Sequence, residues 1–376
     1  MDNLLIFAIF VAVLAILLIK DRKNVKREGI VLIRRTKKGV SFIDSVANRF
    51  PRFLGALYTV GVVVAIGGMF FASYFILTSA VSVASGGVEG VKLVLPGPVD
   101  NAVSAPAVLF MPWYFWVIGI MALIIPHEFS HGVVSRLRKI KVKTVGWILL
   151  IVIPGAFVEP DEKQLKASTT GTKLRVYAAG SFANFIMAFL FFGIMLLYVP
   201  ATLNNVGVIP SYLESGLPMA EMNATGAILS INGEKILSQD ILSNMMSSIP
   251  AGTEINVETS SGNYTIKTVP HELRDGSRIG VIGPYVEYKE IKSEFADTPL
   301  EPAIFFFGQL FDWIILLNLG VGLVNLLPIK PLDGGLMMEA IVEKFSGKNR
   351  RTKIIVKVIT IVFLLTLLYS VFGALI

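Results

Sequence analysis

The sequence predicts a polytopic α-helical membrane protein of about six spans that carries one small soluble α+β segment. Three observations predict it. Hydrophobic residues make up 54% of the 376-residue chain and charged residues only 16%, with a mean hydropathy of +0.68, values typical of proteins that live in lipid. Long apolar runs alternate with dense Lys/Arg clusters. One stretch breaks that pattern: residues 201–300 carry 6 Lys/Arg against 12 Asp/Glu in a chain whose net charge is +7.

The elements follow in order. Residues 4–19 are apolar and run straight into Lys20, Arg22, Lys23, Lys26 and Arg27. A cleaved signal peptide has its basic residues before the apolar core, so this is expected to be an uncleaved first span ending in the cytoplasm. Residues 20–52 form a basic cytoplasmic segment, with a strand-like run at 30–33 suited to a small hairpin against the membrane. Residues 53–77 form the second span. Residues 78–112, nearly free of Lys/Arg and rich in Gly, Ser, Ala and Val, are expected to form an outside loop, either clear of the membrane or dipping into it. The third span, 113–137, has Trp113, Tyr114 and Trp116 at its outer interface and Arg136, Arg138, Lys139, Lys141 and Lys143 at its inner end; Pro126 bends it.

Residues 145–160 are apolar but interrupted by Gly146, Pro154 and Gly155. A re-entrant loop or β-hairpin packed on the core is expected, because irregular backbone at membrane depth must be buried in protein. The fourth span is 174–198, with Gly180 and Asn184. The fifth, 302–328, breaks between Pro328 and Pro331 and resumes as a helix from Leu332 toward Lys344. Lys344, Lys348, Arg350, Arg351 and Lys353 precede a last span at 354–376. Every dense basic cluster then falls on one side and the soluble segment on the other. The expected organisation is N-terminal spans, basic segment and outer loop at 1–112, core at 113–200 and 299–345, soluble domain at 201–298, and last span at 346–376. The protein is expected to be an integral, multi-pass component of the plasma membrane with its soluble domain extracytoplasmic.

The basic balance does not point to nucleic acid. The Lys/Arg residues flank apolar spans without interleaved aromatics, so membrane lipid, and no nucleic acid, is the expected partner. With 0 cysteines the chain has no disulfides and no thiolate ligands, and any metal must be held by N and O donors.

His127-Glu128-Phe129-Ser130-His131 sits inside the third span and contains two of the chain's 3 histidines. Histidines at i and i+4 share a helix face, so both imidazoles can reach one metal ion, and the glutamate between them can take a proton from a water the ion activates. Ionisable groups in hydrocarbon are expensive and mark function. His131 lies five residues before Arg136, roughly 7–8 Å along the axis at 1.5 Å per residue, which submerges the site nearer the cytoplasmic face. A catalytic zinc usually keeps three protein ligands and an open position. The candidate for the third is Asp333, in a stretch broken by Pro328, Pro331, Gly334 and Gly335. Spacing alone leaves it equally open to be a helix N-cap. Asn325, about two turns earlier, suits an oxyanion donor or an interhelical amide contact.

These residues resemble the site-2 protease family of intramembrane zinc metalloproteases. That family pairs HExxH with N-x-x-P-x-x-x-x-L-D-G, matched here by Asn325, Pro328, Leu332, Asp333 and Gly334. A Gly/Asn-bearing helix between the two is matched in part by Gly180 and Asn184, with Ser181 where the family usually has proline. The resemblance implies a three-helix catalytic core with Zn2+ held by His127, His131 and Asp333. It makes Glu128 general base and acid and has Asn325 steady the tetrahedral intermediate. It also implies transmembrane segments of membrane-tethered proteins as substrates, cut in regulated intramembrane proteolysis. A helical substrate hides its carbonyls, so it must unwind locally, and the broken backbone at 145–160 and 328–331 offers a strand edge to hold it.

The soluble segment resembles a PDZ domain of the kind inserted in this family. Residues 206–210 read as a strand, 215–220 as a turn into a short helix, 227–234 as a strand ending in Asn232-Gly233, and 255–257 and 264–269 as further strands joined by 260–263. The resemblance implies capture of a peptide C-terminus beside an exposed strand; a plain β-rich cap is the alternative. Asn223-Ala224-Thr225 and Asn263-Tyr264-Thr265 are glycosylation triplets of a kind frequent by chance, and His271 reads as a surface residue. Two other function classes compete with the protease. A non-catalytic, zinc-stabilised scaffold using the PDZ-like domain would not need Glu128, since structural zinc is closed by four protein ligands. A metal transporter would show more than one set of intramembrane ligands.

Overall fold

The computed structural model describes residues 3–86, 91–97, 103–105, 107–150, 153–270, 277–279 and 281–373; His271 lies outside these. The chain divides into two compact units, Met1–Ile194 with Gln309–Ile376, and Met195–Gly308.

The first unit is built on helices. It begins with α1 (Asn3–Lys20), the hairpin β1 (Val25–Glu28) and β2 (Val31–Thr36), α2 (Lys38–Arg49) and the long α3 (Pro51–Ala84). Three short strands follow: β3 (Leu93–Gly97), β4 (Val103–Ala105) and β5 (Val108–Pro112). Then come α4 (Trp113–Leu137), the hairpin β6 (Val142–Leu150) and β7 (Ile153–Pro160), α5 (Glu162–Ala167) and α6 (Thr170–Thr202), whose last turns enter the second unit. After the second unit the chain returns through α9 (Glu301–Asn325), α10 (Asp333–Ser346) and α11 (Arg350–Phe372). Among the described residues five helices, α3, α4, α6, α9 and α11, are long and apolar enough to cross a membrane. The sixth expected span falls on α1, whose apolar stretch Phe7–Lys20 is shorter than these.

Two regions differ from expectation. The 20–52 segment does more than form a hairpin: β2 pairs antiparallel with β6, giving a four-stranded sheet in the order β1-β2-β6-β7. It also contains α2, which buries Ile43 and Ala47, one turn apart, in a core shared with α4 and α6. The 78–112 segment is not a simple loop. α3 continues to Ala84, and β5 pairs parallel with β3 and antiparallel with β4.

α6 is the central element. Tyr58 of α3, Val133 and Val134 of α4 and Val176, Ala179 and Phe182 of α6 share one core; Ala65 and Met69 of α3, Ala178 and Phe185 of α6 and Met337 and Met338 of α10 share another. The run Ala178-Ala179-Gly180-Ser181 is buried throughout, and such small residues let helix backbones approach closely.

The second unit is α+β. It contains β8 (Leu203–Leu213), α7 (Pro218–Glu221), β9 (Ile228–Ile231), β10 (Glu234–Lys235), α8 (Gln239–Ser248), β11 (Glu254–Thr259), β12 (Gly262–Lys267), β13 (Val269–Pro270), β14 (Ser277–Arg278) and β15 (Val281–Ile291). Its main sheet runs β12-β11-β9-β8-β15, with β10 on β9. The strict alternation of β11 puts Ile255 and Val257 in a core with Ile228, Ile231, Leu242 and Ile266. Asn232 (φ 49°) and Gly233 (φ 84°) make the left-handed pair that a tight β9–β10 hairpin demands.

Candidate metal centre and active site

The centre is assembled from three helices. α4 presents His127 and His131 one turn apart, with ring centroids 4.8 Å apart and Nε2 atoms 3.2 Å apart. The buried Tyr58 hydroxyl of α3 donates to Ser130 Oγ at 2.8 Å and fixes this turn of α4. Asp333 is the first residue of α10. Its Oδ2 lies 3.5 Å from His127 Nε2 and its Oδ1 3.4 Å from His131 Nε2, with all three side chains nearly buried. One ligand atom from each residue lies within 4.8 Å of the others. Asp333 does not cap the helix: Leu332 occupies that position, without a side-chain cap.

α6 supplies the surroundings. His131 Nδ1 lies 2.7 Å from the Val176 carbonyl oxygen. A carbonyl can only accept, so Nδ1 carries the proton and Nε2 presents its lone pair to the centre. Ser181 Oγ donates to Asp333 Oδ2 at 3.1 Å, and the Asn184 side-chain amide meets His127 Nδ1 at 3.2 Å. Between them Gly180 packs directly against the two rings with no side chain to obstruct them: a Cβ there would lie 2.5 Å from His127 Nε2. None of these α6 contacts has a sequence signal of its own beyond the partial Gly/Asn pattern, and the Val176 contact uses backbone that any residue provides.

Glu128, half-buried on α4, accepts the Val158 N–H of β7 on Oε2 at 2.9 Å. Asn325 ends α9 and is half-buried; its side-chain amide has no hydrogen-bond partner among the described residues.

Residues 115–368 match the profile of peptidase family M50. The chain belongs to peptidase family M50. It is 28% identical over 370 residues to an uncharacterized protein of Methanocaldococcus jannaschii, covering 95% of this chain and 90% of that one. It is 24% identical over 274 residues to the regulator of sigma-W protease RasP of Bacillus subtilis, and 22% identical over 234 residues to the zinc metalloprotease RasP of Geobacillus kaustophilus. Those alignments cover 61% and 51% of this chain and 65% and 55% of the two bacterial proteins. By family, then, this M50 chain is a membrane-embedded metalloprotease, and the resemblance to site-2 proteases stands on most of its length.

The residues of this M50 protein fit zinc. Two imidazoles and a carboxylate form the N/N/O donor set of a three-ligand catalytic site. The tautomer of His131 frees Nε2, and Gly180 keeps the approach clear where any other residue would place a side chain.

Proposed function

We propose that this chain is a zinc-dependent intramembrane endopeptidase that cuts transmembrane segments of membrane-tethered proteins. The observation that carries the reading is the convergence of His127, His131 and Asp333, from helices about 200 residues apart, onto one point beside Glu128. His127, His131 and Asp333 would hold the ion, which when bound lowers the pKa of water and polarises a carbonyl. Glu128 takes the proton released as water attacks the scissile carbon and delivers it to the departing amine. The free amide of Asn325 donates to the oxygen on which charge develops.

The edge of β7 supports a mode of substrate binding. β7 ends the sheet, and at Val158 its N–H points away from β6 to Glu128. A locally unwound substrate added along that edge runs past the catalytic carboxylate, with main-chain hydrogen bonds replacing those it gave up in its own helix. The basic clusters at 20–27, 136–143 and 344–353 support a cytoplasmic placement of those helix ends. The 201–298 segment then lies outside the cytoplasm as a PDZ-like domain suited to a peptide C-terminus, and the centre lies within the plasma membrane nearer the cytoplasmic side. The similarity to the regulator of sigma-W protease RasP of Bacillus subtilis supports a regulatory role for that cleavage.

The test is Glu128→Gln in the full chain, co-expressed with candidate single-span proteins. Cleavage fragments disappear while the purified variant still takes up zinc as the wild type does. Unchanged cleavage would refute the assignment.

A further inference from the structure

We propose that Ser181 and Asn184 are the positioning residues of the metal centre, and that Asn184 orients its Oδ1 to accept the Nδ1–H of His127. This rests on the reading of His127, His131 and Asp333 as ligands.

The three ligands sit on α4 and α10, yet each leans on α6: His131 on Val176, Asp333 on Ser181 and His127 on Asn184. Val176, Gly180 and Asn184 are four residues apart, so they share a face of α6. One helix that ligates nothing therefore sets the orientation of every ligand.

Asn184 is the telling member. It is fully buried, and among the described residues its side chain makes one hydrogen-bond contact, to the His127 imidazole, and its Oδ1 has no partner. A buried amide left half-satisfied is costly and calls for a reason. The two ends of an amide have the same shape, and chemistry must choose between them. With Nδ2 toward the ring, Nδ1 would accept and the proton would sit on Nε2, blocking the atom that faces His131 and Asp333. With Oδ1 toward the ring, the proton is held on Nδ1 and Nε2 is a ligand. Only the second orientation serves a metal, and it repeats on His127 what the Val176 carbonyl does for His131.

Ser181 acts on the third ligand. It is fully buried, and its hydroxyl donates to the Asp333 oxygen that faces His127. That bond turns the carboxylate toward the imidazoles; a proline at this position would have no hydroxyl to offer.

The test measures zinc affinity of the purified full-length protein by chelator competition, with apo-protein melting as a folding control and Co2+ absorption as a report of ligand geometry. Asn184→Leu, similar in size but without an acceptor, weakens zinc by about 10–100-fold. Asn184→Asp, which can only accept, binds as tightly as wild type or tighter. Ser181→Ala weakens zinc by about threefold to tenfold and alters the Co2+ spectrum, and Ser181→Thr restores both. Loss of affinity in Asn184→Asp overturns the Oδ1 assignment whether or not Asn184→Leu folds. Wild-type affinity in both Asn184→Leu and Ser181→Ala overturns the positioning role. Failure of the wild type to bind zinc would instead remove the ligand reading beneath it.

Discussion

Gly180 lies directly against the imidazole of His127, so close that a β-carbon on it would come within 2.5 Å of both Nε2 and Cε1. Real β-carbons do not approach that closely, and the same atom would also strike His131 Nε2. Alanine is acceptable to the α6 backbone, which is helical on both sides. Gly180→Ala is therefore expected to leave a folded chain whose rings are pushed apart. Its zinc affinity should fall at least about tenfold, with cleavage falling in step, while apo-protein melting stays near wild type. Wild-type zinc uptake by this variant would contradict the placement of α6 against the two imidazoles.

A second steric constraint holds Asp333. A β-carbon on Gly334 would overlap the carbonyl of Leu326, and one on Gly335 would lie 2.5 Å from Ile329 O and Lys330 N. The first turn of α10 thus packs backbone to backbone on the turn that follows α9. Gly334→Ala and Gly335→Ala should each destabilise the protein by about 1–3 kcal/mol or more and weaken zinc as Asp333 shifts. Gly193→Ala, in open space on α6, serves as the neutral control. Thermal unfolding in detergent separates the three.

How much of this was legible in the sequence depends on the range over which each signal acts. The bounds of α4, 113–137, are the same in sequence and structure, because a span is announced by consecutive apolar residues and closed by charge. The pairing of β2 with β6 joins Val31 to Leu150, and no local pattern encodes a partner that distant. α2 carries a weak sequence signal because its buried face amounts to Ile43 and Ala47. At the centre, the i, i+4 spacing by itself puts His127 and His131 on one helix face. For Asp333 the spacing suited a cap as well as a ligand; its approach to the imidazoles comes from the turn between α9 and α10. The contact of Val176 with His131 could not be read at all, since it is made by a carbonyl.

α6 is also tied to α10 by charge. Lys173 Nζ lies 2.7 Å from Glu343 Oε2, with the two side chains 8% and 22% exposed. Removing one partner strands a buried charge, which costs about 3–5 kcal/mol, whereas replacing both with apolar groups is often neutral or better. Glu343→Ala should therefore lower the thermal midpoint sharply, and Lys173→Met with Glu343→Leu should recover most of the loss. Additive losses in the double variant would show that the two side chains do not act as a pair.

The turn that leaves β7 carries a pH-dependent cap. Asp161 Oδ1 accepts the Gln164 N–H at 3.0 Å at the start of α5, and Lys143 Nζ stands 3.6 Å from Oδ2. The Gln164 N–H first, and the Lys143 ammonium after it, hold the Asp161 carboxyl below its ordinary value. A carboxylate whose pKa is lowered by folding stabilises the folded state above its unfolded pKa, and that contribution disappears as pH falls through the folded value. Asp161→Ala should thus melt below wild type at pH 7, and the gap should close progressively below about pH 4. The comparison is the difference in melting temperature at pH 7 and pH 3. A gap of equal size at both would mean that Asp161 contributes through packing, with its charge irrelevant to the cap.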